Sequence, residues 1–205
     1  MDLSEEKYPL FEMDTPEFKK YGDLFSIMLE LDSVMKICRF LIKNVDNNKV
    51  DPLIKESMWT TAVIKYSRCF KSGKRFGLKK DVFSGLLGEP YKTHKFFMDM
   101  RDKHIAHSVN PYEQVNVGLF VDEKKKKIIG VGCLHGRLII SSKDGVTQLG
   151  MLAKHIIIKL KERFEEIGKE LEVFNSSIPV EEILKRPRQN FVVACPDQAN
   201  VPRGN

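Results

Sequence analysis

Apolar residues recur at intervals of three and four along much of this chain, and this spacing constrains the fold more than any other feature. The longest such run is Leu149, Leu152, Ile156, Leu160, Phe164, Ile167 and Leu171. Residues at this spacing lie on one face of an α-helix, and that face must be buried against another element. The pattern predicts a long amphipathic helix packed against other helices.

Three earlier helices are predicted from their starting signals, Thr15-Pro16, Asp51-Pro52 and Pro90, because proline is favoured at the first helical position. The first should end near Val45 and the second near Gly73. The third should run into the segment RDKHIAH and end before Pro111. The apolar spacing predicts that the first helix buries Phe18, Tyr21, Phe25, Met28, Val34 (or Met35), Cys38 and Ile42. It predicts that the second buries Met58, Trp59, Ala62, Val63, Tyr66 and Phe70.

Two segments rich in β-branched residues, 115–122 and 127–140, lie between the third and fourth helices. They predict a β-hairpin, with a third strand around Arg137–Ile140 and glycines that mark a bulge or a close backbone approach. The fold class is therefore mainly α: a four-helix up-and-down bundle with a β-hairpin insertion between helices 3 and 4.

The predicted organisation is a polar lead-in at 1–14, a helical domain at 15–175 with the β insertion at 115–140, and an irregular tail at 176–205. The tail contains one short helix at Val180–Leu184, and we expect it to be mobile from about Pro196. Residues 71–89 hold four glycines and should form a connection with at most one helical turn.

Composition narrows the partners and the compartment. The 34 Lys and Arg residues outnumber the 28 Asp and Glu, and the net charge of +6 favours a polyanion such as RNA, although many proteins carry such an excess without binding one. The four cysteines form no CxxC pair, which excludes a zinc ribbon or a thioredoxin-like site. No signal peptide and no run of about 18 apolar residues occurs, so we expect a cytoplasmic protein without a membrane partner.

The densest cluster of chemically capable side chains is Arg101, Asp102, His104 and His107, with His94 two turns earlier. On a continuous α-helix Arg101, His104 and His107 would share an arc of about 120°. Histidine exchanges protons near neutral pH, and arginine offers a planar fork of donors to phosphate oxygens. The 2′-hydroxyl of RNA can attack its own phosphodiester when such groups are present.

The segment Arg101–His107 resembles the motif of the HEPN superfamily: an arginine, a polar residue, several variable positions and a histidine, late in the third helix of a four-helix bundle. The segment Tyr66–Gly73 and the HIAHS ending are similar to the abortive-infection, toxin-like branch of that superfamily. The resemblance covers residues 15–171, although its specific part is about seven residues long.

The resemblance implies a homodimer with two motifs facing one cleft, RNA cleavage without a metal or cofactor, and in some members a protein antitoxin. It assigns His107 as the general acid or base and Arg101 as the phosphate ligand. Asp102 would orient Arg101 or a histidine, and His104 would contact substrate or support the site. The function predicted is a metal-independent endoribonuclease in a defence or toxin-like role.

Other interpretations stay open. Arg101 and Asp102 could form an ion pair at a helix end, and His107 could be an ordinary helix residue. His104 and His107, with or without His94, could bind a metal, although no familiar zinc set is completed. The alternative function is a non-catalytic module that binds RNA, a nucleotide or a partner protein, and a third is a helical scaffold without a ligand.

A second basic group lies in and before the connection 71–89. Basic residues with an interleaved aromatic, here Phe76, bind single-stranded nucleic acid by charge and stacking. The alternative is a surface loop with a buried phenylalanine. The residues predicted to contact RNA are Arg68, Lys74, Arg75, Lys79 and Lys80.

Overall fold

The computed structural model describes residues 8–73, 75–106 and 113–189. This part of the chain is mainly helical and contains one two-stranded antiparallel sheet. Its elements, in order, are α1 (Pro16–Asn44), α2 (Pro52–Arg68), a 3-10 turn (Lys80–Phe83), α3 (Pro90–Met100), a π-helical turn (Arg101–Ile105), β1 (Glu113–Asp122), β2 (Lys127–Arg137), α4 (Lys143–Asn175) and α5 (Val180–Ile183).

The predicted helix starts are confirmed. Helices α1, α2 and α3 each begin at the expected proline. Asp51 caps α2, because its carboxylate accepts a hydrogen bond from the Leu53 N–H at 2.7 Å. Helix α2 ends at Arg68, a turn before the predicted Gly73. The connection contains a single 3-10 turn, as expected.

The predicted buried face of α1 is only partly correct in its first half. Phe18, Tyr21 and Met28 are partly buried, but Phe25 is 49% exposed. The fully buried residues there are Leu24, Ile27 and Leu31, which also have helical spacing and are offset by one position from Phe25 and Met28. The prediction favoured the aromatic residues over these smaller aliphatic ones.

Helix α4 is confirmed together with its buried face. Leu149, Leu152, Ile156, Leu160, Ile167 and Leu171 are buried, and Phe164 is half-buried. Helix α2 buries Trp59, Ala62, Val63 and Tyr66 as predicted, while Met58 and Phe70 are only partly buried.

The chain divides into two compact units. In the described residues, the first comprises the chain up to Met28, Ser72–Phe76 and the chain from Lys159 onward. Its helices meet where the Tyr21 ring stacks on Phe164, with centroids 4.0 Å apart. An antiparallel bridge between Phe11 and Arg188 joins the predicted lead-in to the predicted tail, a pairing that the sequence did not suggest.

The second unit comprises Leu29–Lys71 and Gly77–Ile158. Its core includes Leu31, Val34, Leu41, Val63, Phe97, Val146 and Leu149. Cys38 and Cys69 are buried there as small apolar residues, as predicted, and burial raises the pKa of the Cys38 thiol to about 12.

The corner between α1 and α2 is closed by a buried lysine. The Lys55 ammonium donates to the backbone carbonyl oxygen of Val45 at 3.0 Å, one residue past the end of α1. A cation at a helix C-terminus interacts favourably with the unsatisfied carbonyl groups there. This contact ties the first turn of α2 to the end of α1.

The hairpin is confirmed, but the third strand is not: residues 138–142 have no regular structure. The register pairs Leu119 with Val131 and shifts between Phe120 and Val121, which marks a bulge. A Cβ atom on Gly132 would lie 2.0 Å from the Phe120 ring, so this glycine marks a close approach. No helix among the described residues is long and apolar enough to cross a membrane.

Candidate functional site

The predicted site begins on a π-helical turn and not on a continuation of α3. The turn spans Arg101–Ile105 and is closed by the Ala106 N–H, which donates to the Arg101 carbonyl oxygen at 2.9 Å. A wide turn of this kind rotates successive side chains by less than an α-turn does. The prediction that Arg101, His104 and His107 share an arc of about 120° assumed a regular α-helix. Residues 101–105 depart from that geometry. His107 lies outside the described residues, so the shared arc stays a prediction.

Three charged side chains meet at the start of this turn. The Arg101 guanidinium donates to one carboxylate oxygen of Asp102 at 2.6 Å, and the Lys71 ammonium donates to the other at 3.3 Å. The side chains of Arg101, Asp102 and Lys71 are 38%, 42% and 50% exposed. The cluster, which we call the Arg101 cluster, is therefore open to a ligand.

The electrostatics of the Arg101 cluster leave it with a net positive charge. The hydrogen bond from Arg101 holds the pKa of Asp102 below its ordinary value, slight burial opposes this, and Lys71 adds to the lowering. Asp102 is consequently an anion at neutral pH, and two cations surround it. One full positive charge remains for a phosphate group.

His104 lies on a different side of the turn from this cluster. With Glu56, Trp59, Thr60 and Glu113 it lines a cavity of about 280 Å³. The Trp59 indole N–H is buried and donates no hydrogen bond within the described residues. A ligand or water that reached this N–H could accept a hydrogen bond there.

His94 does not belong to the site, although the helical spacing placed it on the stripe of Arg101. It is 9% exposed and packs against the rings of Phe70 and Phe83, whose centroids lie 4.4 and 4.9 Å away. The Tyr66 hydroxyl and His94 Nδ1 form a hydrogen bond of 3.0 Å. Burial, helped by Lys80, lowers the pKa of His94 to about 4. It is a neutral core residue.

The predicted catalytic residue His107 lies outside the described residues, as do Lys74, Pro111 and the tail from Pro196. The structure therefore gives the surroundings of Arg101, Asp102 and His104 only. Among residues 8–73, 75–106 and 113–189, no three His, Cys, Asp or Glu side chains are grouped to hold a metal ion.

The predicted RNA-contacting residues are divided between different surroundings. Arg68 pairs with Glu30 at 3.1 Å, and Arg75 Nη1 donates to Ser26 Oγ at 3.0 Å, so both side chains have partners on α1. Lys79 and Lys80 are exposed, and the Lys80 ammonium lies over the Tyr91 ring. Phe76 is only partly buried.

The sequence did not predict that Lys71 contacts Asp102 or that Trp59 lies beside His104. The first pair is 31 residues apart and the second is 45 apart. No local pattern links such positions. The one available signal was the basic character of residues 71–80, which pointed to RNA but not to Asp102.

No protein-family model, curated protein or solved structure matches this chain.

Proposed function

We propose that this protein is a metal-independent endoribonuclease of the HEPN type, in a defence or toxin-like role, built on a four-helix up-and-down bundle. The observation that carries the proposal is the Arg101 cluster. An arginine held by a carboxylate, beside a lysine and open to solvent, is a binding site for a phosphate group. It lies on a π-helical turn, a distortion that is frequent at functional sites.

The reaction proposed is transesterification at phosphorus. A base removes the proton of the 2′-hydroxyl, the 2′-oxygen forms a bond to the adjacent phosphorus, and the bond from phosphorus to the 5′-oxygen breaks. An acid gives a proton to that leaving oxygen. The products are a 2′,3′-cyclic phosphate and a 5′-hydroxyl, so no electrons are exchanged and no co-reactant is needed.

Roles follow from the chemistry of each residue. His107 is the proton-transfer group, and Arg101 stabilises the charge that builds on the phosphate oxygens. Asp102 is a positioning residue, since its carboxylate is the hydrogen-bond partner of Arg101. Lys71 adds charge at the same point. His104 contacts the substrate from the cavity beside Trp59.

One chain supplies a single His107, and acid–base catalysis needs two proton transfers. The proposal therefore includes a homodimer, in which the second copy supplies the other histidine. A protein antitoxin is a further partner that the resemblance implies, and the chemistry of the site does not require it.

A non-catalytic RNA-binding module is the second candidate, and one observation favours it. The shortest contact of Arg101 is to Asp102 of the same chain, so part of its charge is already neutralised. The positive charge that remains on the cluster can bind a phosphate group. Less of it is available to stabilise the additional negative charge of a transition state.

The two candidates are separated by measuring single-turnover cleavage of a labelled RNA and, independently, RNA affinity by anisotropy. We expect His107→Ala to lose roughly 10²–10⁴ in rate with affinity unchanged. Arg101→Ala should lower both the cleavage rate and the affinity, and Arg101→Lys should restore affinity more than rate. The cleavage rate of His104→Ala should lie between those of the wild type and His107→Ala. His155→Ala, a partly buried histidine of α4 that is not among the predicted site residues, is the matched control and should behave as wild type.

If His107→Ala cleaves RNA at the wild-type rate, the assignment of this motif as a ribonuclease site is wrong. If the wild type does not cleave and Arg101→Ala loses RNA affinity, the binding module is the correct function.

A further inference from the structure

The two strands of the hairpin carry an aliphatic surface on one side. Side chains alternate between the two faces of a strand, and the register pairs Leu119 with Val131 and Val121 with Ile128. Six aliphatic residues therefore share one side, which we call the aliphatic face: Val115, Val117, Leu119, Val121, Ile128 and Val131. Cys133, opposite Val117, and His135, opposite Val115, lie on the same side. At that end of the face His135 is 3.8 Å from the Glu113 carboxylate.

All six side chains are exposed, by between 51% and 72%. Together they present on the order of 600 Å² of apolar surface, the upper end of the largest patch found on typical monomers. A two-stranded hairpin alone is marginally stable in water and needs a further layer on its apolar side. The aliphatic face therefore requires a partner.

We propose that the aliphatic face is the interface between two copies of this chain. The area is close to the ~800 Å² that one partner contributes to a stable interface of standard size. Two such faces, stacked about 10 Å apart, form a four-stranded sandwich in which each hairpin covers the other. The six residues carry no charge, so this surface does not fit a nucleic acid, whose binding depends on cations.

The charges at the two ends of the hairpin define how the copies are oriented. The turn at one end carries four consecutive lysines, Lys124–Lys127. With the hairpins parallel, eight lysines would gather at one end. The antiparallel arrangement instead brings each lysine turn towards the base of the other hairpin, where Glu113 and Glu56 line the cavity beside His104.

This interface is argued from the hairpin alone and does not rest on the ribonuclease proposal. In the antiparallel arrangement the second copy adds cations near His104, which would help to bind a polyanion. A monomeric wild type would contradict both proposals, whereas a dimer formed through another surface would contradict only the hairpin interface, so the test uses mass and crosslinking and no activity.

The experiment is the mass of the full chain in solution by light scattering. We expect twice the 23.6 kDa chain mass for the wild type and a single chain mass for Val117→Lys. Asn116→Lys, which adds the same charge to the opposite side of the same strand, is the matched control and should stay dimeric. Circular dichroism of the three proteins should coincide.

A second measurement keeps the proposal testable if the Val117 variant unfolds. In Cys195→Ser, a short bismaleimide should crosslink two chains through Cys133, because Cys133 is exposed while Cys38 and Cys69 are buried. The crosslink should disappear when Cys133 is also changed to serine.

Four results would overturn the proposal. The first is a monomeric wild type. The second is equal loss of the dimer in Val117→Lys and Asn116→Lys. The third is crosslinking that does not need Cys133. The fourth is a folded Val117→Lys protein that keeps twice the chain mass, since this would assign the contact to another surface of the chain.

Discussion

Acidification should unfold this protein partly through His94. In the native state the ring is enclosed by Tyr66, Phe70 and Phe83, and its Nδ1 is hydrogen-bonded to the Tyr66 hydroxyl. Protonation would place a charge among aromatic rings, away from water. In the unfolded chain the same ring takes up a proton freely.

The sign and the size follow from the lowered pKa. The pKa of His94 falls from 6.5 to about 4 on folding, so between these pH values the unfolded chain binds more protons than the native one. The contribution is complete above about pH 6.5 and is lost as the pH falls towards 4. At about 1.4 kcal/mol per pH unit, the loss is at most about 3 kcal/mol.

The measurement is the free energy of unfolding in urea at several pH values between 4 and 7.5. His94→Gln keeps a hydrogen-bond acceptor but cannot titrate. We expect its stability to fall less steeply than that of the wild type, so that the difference between the two narrows by up to about 3 kcal/mol as the pH is lowered. His135→Gln, on the exposed hairpin, should leave the wild-type slope unchanged. Identical slopes for the wild type and His94→Gln would show that burial of His94 has no part in acid stability.

Four further outcomes are expected. RNA cleavage should persist in EDTA and leave 2′,3′-cyclic phosphate ends; activity that is lost to chelation and restored by a divalent ion would contradict the mechanism. Lys71→Ala should weaken RNA binding and reduce the slope of log affinity against log salt by about 1, and an unchanged slope would remove Lys71 from the interface. Gly22→Ala, within α1 and with free space around the added methyl group, should stabilise the protein by about 0.5–1 kcal/mol. Gly77→Ala should instead destabilise it by about 1–3 kcal/mol, because the new Cβ atom would lie 2.8 Å from the Phe70 carbonyl oxygen.

Much of the secondary structure could be predicted because its signals are local. Proline at a first helical position and apolar residues three or four apart located α1 to α4, and β-branched runs on either side of a charged turn located the hairpin. Each signal lies within the element that it predicts. Where several such signals agreed, the element formed as predicted, whereas the third strand, predicted from β-branched residues alone, did not form.

The parts that failed depend on competition between distant residues. On α1 two offset sets had helical spacing, and packing against other elements selected the one with Leu24 and Ile27. The π-helical turn at Arg101 departs from regular α-helical spacing, and no residue type in the segment predicts such a turn. The position of His94 was a question of burial, which the spacing along a single helix does not determine.

The sequence named the residues of the candidate site, whose role stays a prediction, but it did not show their surroundings. Arg101 and Asp102 were identified from the motif, and Asp102 was expected to orient Arg101 or a histidine. The structure adds the geometry of that contact and the lysine that shares the carboxylate. Long-range contacts of this kind carry no signal in one sequence.

The buried lysine at the corner between α1 and α2 also has a consequence for the order of events in time. Lys55 and its acceptor Val45 are ten residues apart, and a segment of that length closes in roughly 10–100 ns. Strand pairing in a β-hairpin takes roughly 1–10 μs. During folding this short loop can therefore close about a hundredfold sooner than the strands pair, so the two ends of the α1–α2 connection meet before the aliphatic face is assembled.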